Sequence, residues 1–271
     1  MSEEKYAALL ERLRAMGSAA VAFSGGVDSS LLLLAAHEAL GERVLAVTAR
    51  SPLYCAGERA DAESIAVRIG ARHVFVDSDT LSLPEVRGNH PDRCYHCKRH
   101  AFGAIRELAR REGMAEILEG SNVDDLADDR PGWRAVQELG IRSPLIDVGL
   151  TKSEIRELAR THGLPIWDKP SRACLASRVP FHEELTEERL RRIDAAEEAL
   201  HALGFRQVRV RDHGRLARIE VPPEDLERLA VPETRPALVA ALRGLGYRYI
   251  ALDLEGYRAG SMSVTTGGDR G

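Results

Sequence analysis

Residues 18–40 constrain this chain more than any other stretch. Ser18–Ser24 (SAAVAFS) reads as a buried strand and Asp28–Leu40 as a helix. Between them runs Ser24-Gly25-Gly26-Val27-Asp28-Ser29-Ser30. Two glycines let the backbone approach an anion closely, and the following helix aims its N–H groups and positive dipole end at the same point. Ser24, Ser29 and Ser30 add hydroxyl donors. A Walker A loop would place a lysine after its last glycine, and none stands there; GxGxxG does not fit either.

The alternation continues beyond this unit. Arg43–Thr48 is a second strand, a helix covers about Gly57–Ile69, and Arg72–Val76 is a third strand. The looping stretch LSLPEVRGNHPDR leads into a helix from about His96 to Arg111, and Glu116–Glu119 is a fourth strand. Strands alternating with helices indicate a parallel sheet covered on both faces, with ligands at the carboxyl ends of its strands. Leu150–Gly163 reads as a helix capped by Thr151, with Glu154 in the capping-box position. From about residue 185 the character changes. A long charged helix over Thr186–Leu203 precedes strands at Gln207–Asp212 and Leu216–Val221, two helices and a last strand over Tyr247–Leu254. The expected division is a main domain over 1–180, a small α+β domain over 185–260 and a disordered tail over 261–271.

Composition excludes several classes. A chain of 271 residues suits a main domain plus a smaller one. With 44% hydrophobic and 30% charged residues, disorder and fibrous structure are excluded. A net charge of −4 argues against a globally basic nucleic-acid binder while leaving room for a local basic groove. The start, MSEEKYAALLERLRAMG, is an amphipathic helix pattern and not a signal peptide. The longest strongly apolar run, Leu31 to Ala36, cannot span a bilayer. Four cysteines are too few and too unevenly spaced for a disulfide scaffold, so the expectation is a cytoplasmic protein. Lysine supplies only 4 of the 38 basic residues, and arginine suits oxyanion recognition.

The cysteines divide by their surroundings. Cys94-Tyr95-His96-Cys97 is a CxxC at the mouth of a helix between Arg93 and Lys98, a setting that favours thiolate. Cys174 lies in PSRACLASR, also flanked by arginines, whereas Cys55 stands alone after a strand. A zinc knuckle, a redox pair and iron–sulfur ligation all suit the CxxC. Structural zinc wants four ligands, and His96 or His100 would have to complete the set.

The loop SGGVDSS resembles that of the PP-loop ATP pyrophosphatases, which cleave ATP between the α and β phosphates and adenylate a carbonyl or carboxylate oxygen. The resemblance implies the adenine nucleotide alpha hydrolase-like α/β fold. It also implies that Ser24, Gly25, Gly26, Val27, Asp28, Ser29 and Ser30 hold the phosphates, with Asp28 near Mg2+. The strand end around Thr48 would face the adenosine. Gly120, Ser121 and Asn122, with Asp124 and Asp125, resemble the superfamily's second nucleotide loop. A narrower resemblance rests on RCYHCKRHAF, GSNVDDLADDRPG, RSPLIDVGLTKSEIR, KPSRACLASR and VRVRDHGRLARIEV in this order. Together they are similar to the LarE family of ATP-dependent sulfur transferases in nickel-pincer nucleotide synthesis.

That resemblance implies adenylation of a carboxylate of pyridinium-3,5-biscarboxylate mononucleotide, followed by replacement of the activated oxygen with sulfur. Two sulfur sources exist in the family: a sacrificed cysteine at the position of Cys174, or a sulfide on a [4Fe–4S] cluster held by three cysteines. Having Cys94, Cys97 and Cys174 favours the cluster. Arg209 and Arg211 alternate on one strand and so share a face. With Arg258 they match the family's substrate-phosphate cluster, where paired arginines suit a phosphate. Ser177 and Arg178 are placed to orient the substrate. Glu197 and Glu220 are further metal or substrate candidates, though Glu197 lies on a helix that reads as exposed. A small-molecule substrate, no nucleic acid, no membrane and a homo-hexamer complete the expectation. A tRNA thiolase would need a basic surface that the charge does not provide. An ammonia-using synthetase, such as GMP or NAD synthetase, would not need the cysteines.

Overall fold

The computed structural model describes residues 2–127, 131–170 and 173–258. The expected tail over 261–271 lies outside these. Two compact units emerge: Met1–Val86 with Asp92–Ser171, and Arg87–Pro91 with Arg172–Gly271.

The first unit runs α1 (Ser2–Arg14), β1 (Ala19–Ala22), α2 (Val27–Leu40), β2 (Val44–Arg50), α3 (Ala56–Ile69) and β3 (Arg72–Asp77). After the short α4 (Pro84–Arg87) come α5 (Arg93–Arg111), β4 (Glu116–Leu118), α6 (Pro131–Glu138), α7 (Pro144–Asp147) and α8 (Lys152–Thr161). The sheet has the order β3-β2-β1-β4 and is parallel throughout. Side chains alternate across it. Ala19, Val21, Val44 and Ala46 pack with α1, α2 and α8, while Ala20, Leu45 and Val47 meet Phe102, Ile105 and Ala109 of α5. α2 buries Leu31, Leu32, Leu33, Ala35 and Ala36, so it is apolar nearly all round, as a core helix is. Because β2 lies on one side of β1 and β4 on the other, the chain reverses its winding there. The loops after β1 and β4 therefore open into one crevice.

The second unit runs α9 (Glu187–Ala202), β5 (Arg209–His213), β6 (Leu216–Glu220), α10 (Leu226–Ala230), α11 (Arg235–Gly244) and β7 (Tyr249–Leu252). β5 pairs antiparallel with β6, and β6 pairs parallel with β7. Its core joins Ala196 and Leu200 of α9 to Val208, Val210, Ile219, Leu242 and Tyr247. Asp212 is buried beneath Arg189, Arg192 and the Tyr247 hydroxyl, which ties β5 to α9.

Two differences from the sequence expectation matter for function. The α5 helix begins at Arg93, so Cys94 lies in its first turn and Cys97 at the start of the second. The boundary between units falls before Arg172 and not near 180, because Arg178 is fully buried against Glu197 of α9. The strap Arg87–Pro91 also joins the second unit. Asn89 donates its side-chain amide to the carbonyls of Val179 (3.0 Å) and Pro180 (2.7 Å), and Leu185 N–H donates to Arg87 O. Among the described residues no helix is long and apolar enough to cross a membrane.

Candidate active site

The glycine loop is fixed by its own hydroxyls. Ser29 Oγ donates to Gly26 O (3.1 Å), so the Ser24 hydroxyl, 3.0 Å away, donates its proton to Ser29. Ser24 Oγ in turn accepts from Gly26 N–H. Gly25 has φ +73°, and a Cβ there would lie 2.9 Å from the amide nitrogen of Ala62 on α3, so only glycine fits. Gly26 caps α2 in an extended conformation with no side-chain cap, leaving first-turn N–H groups for an anion. The Val27 side chain lies in the core, so it offers only backbone. Ser30 departs from expectation. Its hydroxyl is fully buried, with no hydrogen-bond partner among the described residues, and it is not presented at the loop surface.

The loop after β4 rests on the first. A Cβ on Gly120 would lie 2.9 Å from Ser29 N. Buried Glu119 accepts from Ser121 N–H (3.1 Å), the Ser121 hydroxyl (2.7 Å) and the Ser143 hydroxyl, which holds Ser121 in place. Asn122 donates Nδ2–H to Asp28 Oδ1 (3.3 Å), and its own N–H to Asp125 Oδ2 (3.0 Å). Its Oδ1 accepts from Asp124 N–H, and Asp124 then receives the backbone N–H of Lys152 at 2.8 Å.

Lys152, which the sequence reading missed, places its ammonium on Asp28 Oδ2. It opens α8 behind a full capping box, in which Thr151 Oγ1 accepts from Glu154 N–H and Glu154 from Thr151 N–H. A local cap thus sets a lysine over the glycine loop from more than a hundred residues away in sequence. A second lysine, Lys169, pairs with Asp61, the residue before Ala62 on the helix that packs against Gly25.

Thr48 is held internally. Its hydroxyl donates to Phe23 O (2.6 Å), so the His73 Nε2 at 2.8 Å must carry the hydrogen it shares with Thr48. Burial pulls the His73 imidazole below its ordinary pKa, which leaves it neutral with the proton on Nε2. The Thr48 hydroxyl is therefore committed to partners within the protein. His73 carries no motif that the sequence alone displays.

The CxxC sits on a braced helix start. Tyr95 donates its hydroxyl to Glu138 of α6 (2.6 Å), and the Arg134 guanidinium lies 3.9 Å from the Tyr95 ring centre. Cys94 is exposed and Cys97 buried, and His96 is paired with Asp92 at 3.1 Å. Cys55 is buried at the start of α3.

In the second unit, the turn Leu175–Arg178 follows half-buried Cys174. Arg178 forks onto Glu197 with two bonds of 2.8 Å. Glu197 is buried, which corrects the expectation of a solvated helix face: Arg178 and the Val210 N–H both bind it. Burial alone would raise its carboxyl. The hydrogen bonds and charge of Arg178 win and hold it below the ordinary range. Arg211 donates to Ser177 O (2.8 Å) and to Glu220 (2.6 Å), and both of these arginine–glutamate pairs are buried. Arg209 is buried 5.1 Å from the Tyr257 ring centre, with Nη1 donating to Val208 O. Burial, then the charge of Arg178, lowers the Arg209 pKa from the ordinary guanidinium value. Arg178, Arg209 and Arg211 are thus three buried guanidinium groups, two of which, Arg178 and Arg211, bind Ser177. Arg258 is exposed and paired with Glu255.

Among the described residues no group of three or more His, Cys, Asp or Glu side chains is gathered to hold a metal ion. Cys94 and Cys97 belong to the first unit and Cys174 to the second.

Comparison with known proteins agrees over nearly the full length. A family model described as asparagine synthase matches residues 5–115, the stretch that contains the glycine loop. An uncharacterized protein of Synechocystis is 40% identical over 97% of this chain and 98% of its own. The pyridinium-3,5-bisthiocarboxylic acid mononucleotide synthase of Lactiplantibacillus plantarum is 37% identical over 96% of this chain and 94% of its own. An uncharacterized protein of Methanocaldococcus jannaschii is 29% identical over 88% and 90%.

Proposed function

The chain belongs to the family of the pyridinium-3,5-bisthiocarboxylic acid mononucleotide synthase, the LarE family, and on that premise we propose that it is an ATP-dependent sulfur transferase. Its substrate is pyridinium-3,5-biscarboxylate mononucleotide, whose carboxylate it adenylates before sulfur replaces the activated oxygen. The observation that carries this reading is the convergence of three segments on Asp28: the glycine loop, Asn122 and Lys152.

The phosphates of ATP lie against Gly25, Gly26 and the uncapped first turn of α2. Asp28, a hard oxygen donor, suits Mg2+. Lys152 passes from Asp28 to a phosphate oxygen as the nucleotide arrives, and it offsets the charge that develops on departing pyrophosphate. A carboxylate oxygen of the substrate attacks the α phosphorus and gives an acyl adenylate. A sulfur nucleophile then attacks that carbonyl and AMP leaves, which splits one difficult substitution into two easier ones. Arg209 and Arg211, which share a face of β5, take the substrate's phosphate.

Cys94, Cys97 and Cys174 would hold a [4Fe–4S] cluster, which when bound supplies the sulfide. The donor chemistry supports this, since two of the three thiols stand one helical turn apart. Assembly into a homo-hexamer and a cytoplasmic location belong to the same proposal.

Anaerobic purification with iron and sulfide analysis, pyrophosphate detection and intact mass after turnover test the proposal together. The expected result is pyrophosphate release, iron in the protein and an unchanged chain mass. Loss of the mass of hydrogen sulfide without iron would move the sulfur source to Cys174 itself. No pyrophosphate with this substrate would overturn the whole reading.

A further inference from the structure

We infer that Arg178 is a positioning residue for Cys174 and not a substrate ligand. Its side chain is fully buried. Nε and Nη2 fork onto Glu197, while Nη1 donates to Ala173 O (2.6 Å), Cys174 O (3.1 Å) and Ser177 Oγ (3.0 Å). The Cys174 carbonyl also accepts from Ser177 N–H at 3.0 Å. Two donors therefore grip the carbonyl of the cysteine itself and one grips the residue before it.

The geometry explains why an arginine stands there. A guanidinium has donors along two edges of a rigid plane, so it can hold a carboxylate on one edge and two carbonyls on the other. A lysine could satisfy Glu197 but has no fixed second edge. Glu197 is in turn fixed by Val210 N–H of β5 (3.0 Å) and by its place on α9. The line of force runs from the β5–α9 core through Glu197 and Arg178 to the backbone of Cys174. A single short 3-10 turn, Leu175–Arg178, is thereby given one conformation. Substrate cannot reach a guanidinium so enclosed, so the effect on chemistry passes through the cysteine. With the backbone pinned, only the χ1 rotation of Cys174 remains to aim its sulfur.

The inference rests on reading Cys174 as the sulfur-handling thiol, and the test separates the two. Alkylation by iodoacetamide, followed by peptide mass for Cys174 with exposed Cys94 as internal reference, reports the brace whatever Cys174 does. Sulfur transfer by a Cys174→Ala variant reports the role of the thiol. In Arg178→Lys, alkylation of Cys174 relative to Cys94 should rise about tenfold as the turn opens. Its kcat should fall about 100-fold while the KM for the mononucleotide stays the same. The double variant Arg178→Met with Glu197→Gln removes both buried charges, so it guards against unfolding caused by an orphaned glutamate, and it should behave alike. In the unaltered protein the Ser177 amide should exchange slowly with deuterium, a measurement that needs no variant. Unchanged Cys174 alkylation with a raised KM and intact kcat would make Arg178 a substrate ligand and overturn the inference, as would fast exchange at Ser177.

Discussion

A Cβ on Gly120 would lie 2.9 Å from the amide nitrogen of Ser29, so the loop after β4 bears directly on the first turn of α2. The contact is backbone against backbone, with no flexible side chain to give way. Gly120→Ala should cost about 1–3 kcal/mol of stability by overpacking. It should also raise the KM for ATP, because Ser29 N–H is displaced. Thermal unfolding together with ATP titration checks this, and wild-type values in both would remove the contact from the account.

Lys152 offers a sharper test of the phosphate site. Its ammonium is partly exposed and pairs with a partly exposed Asp28, so its loss should leave the fold intact. Lys152→Met should lower the rate of pyrophosphate release by about 100- to 1000-fold, the usual effect of deleting one preorganised donor to a developing oxyanion. Pyrophosphate detection at saturating ATP gives the number. A drop of less than twofold would confine Lys152 to neutralising Asp28.

The Glu197–Arg178 pair predicts a pH dependence with a definite sign. The Glu197 carboxyl is held below its ordinary value of 4.5. Its contribution to stability is therefore present in full above that value and disappears as pH falls through the lowered folded one. Denaturant midpoints between pH 6 and about pH 3 should fall for the wild type. The same series on Glu197→Gln should be flatter. Parallel curves would show that other carboxylates govern the acid limb.

Cys55 should be separable from the other three thiols. It is buried at the start of α3. Cys55→Ala should keep sulfur transfer within about twofold and cost roughly 1 kcal/mol of packing. Serine at Cys94, Cys97 or Cys174 should abolish transfer while leaving ATP binding intact. Iron content measured across the four variants distinguishes cluster ligands from the bystander.

The elements that could be read from the sequence are those whose causes are local. The apolar run before Ser24, the glycine pair and the Thr151–Glu154 cap each act within a few residues, and each is found where expected. Lys152 is not legible in the sequence because a lysine at a helix start carries no signal until tertiary packing sets Asp28 beneath it. Glu197 is hidden from the sequence for the converse reason. Its helix is charged on most sides, and only the arrival of Arg178 from a short 3-10 turn makes that face an interior one. Ser30 followed the motif, but the helix turns it into the core.

The strap Arg87–Pro91 has a consequence for how this molecule can be inherited and dissected. It groups with the second unit although the residues on either side of it group with the first. No single cut in the polypeptide therefore separates the two. A fragment that ends at Ser171 carries off Asn89 without the carbonyls of Val179 and Pro180, and a fragment that starts at Arg172 leaves those carbonyls without their amide. Recombination at one point in the gene cannot exchange either unit whole. Exchange of either unit whole needs more than one crossover.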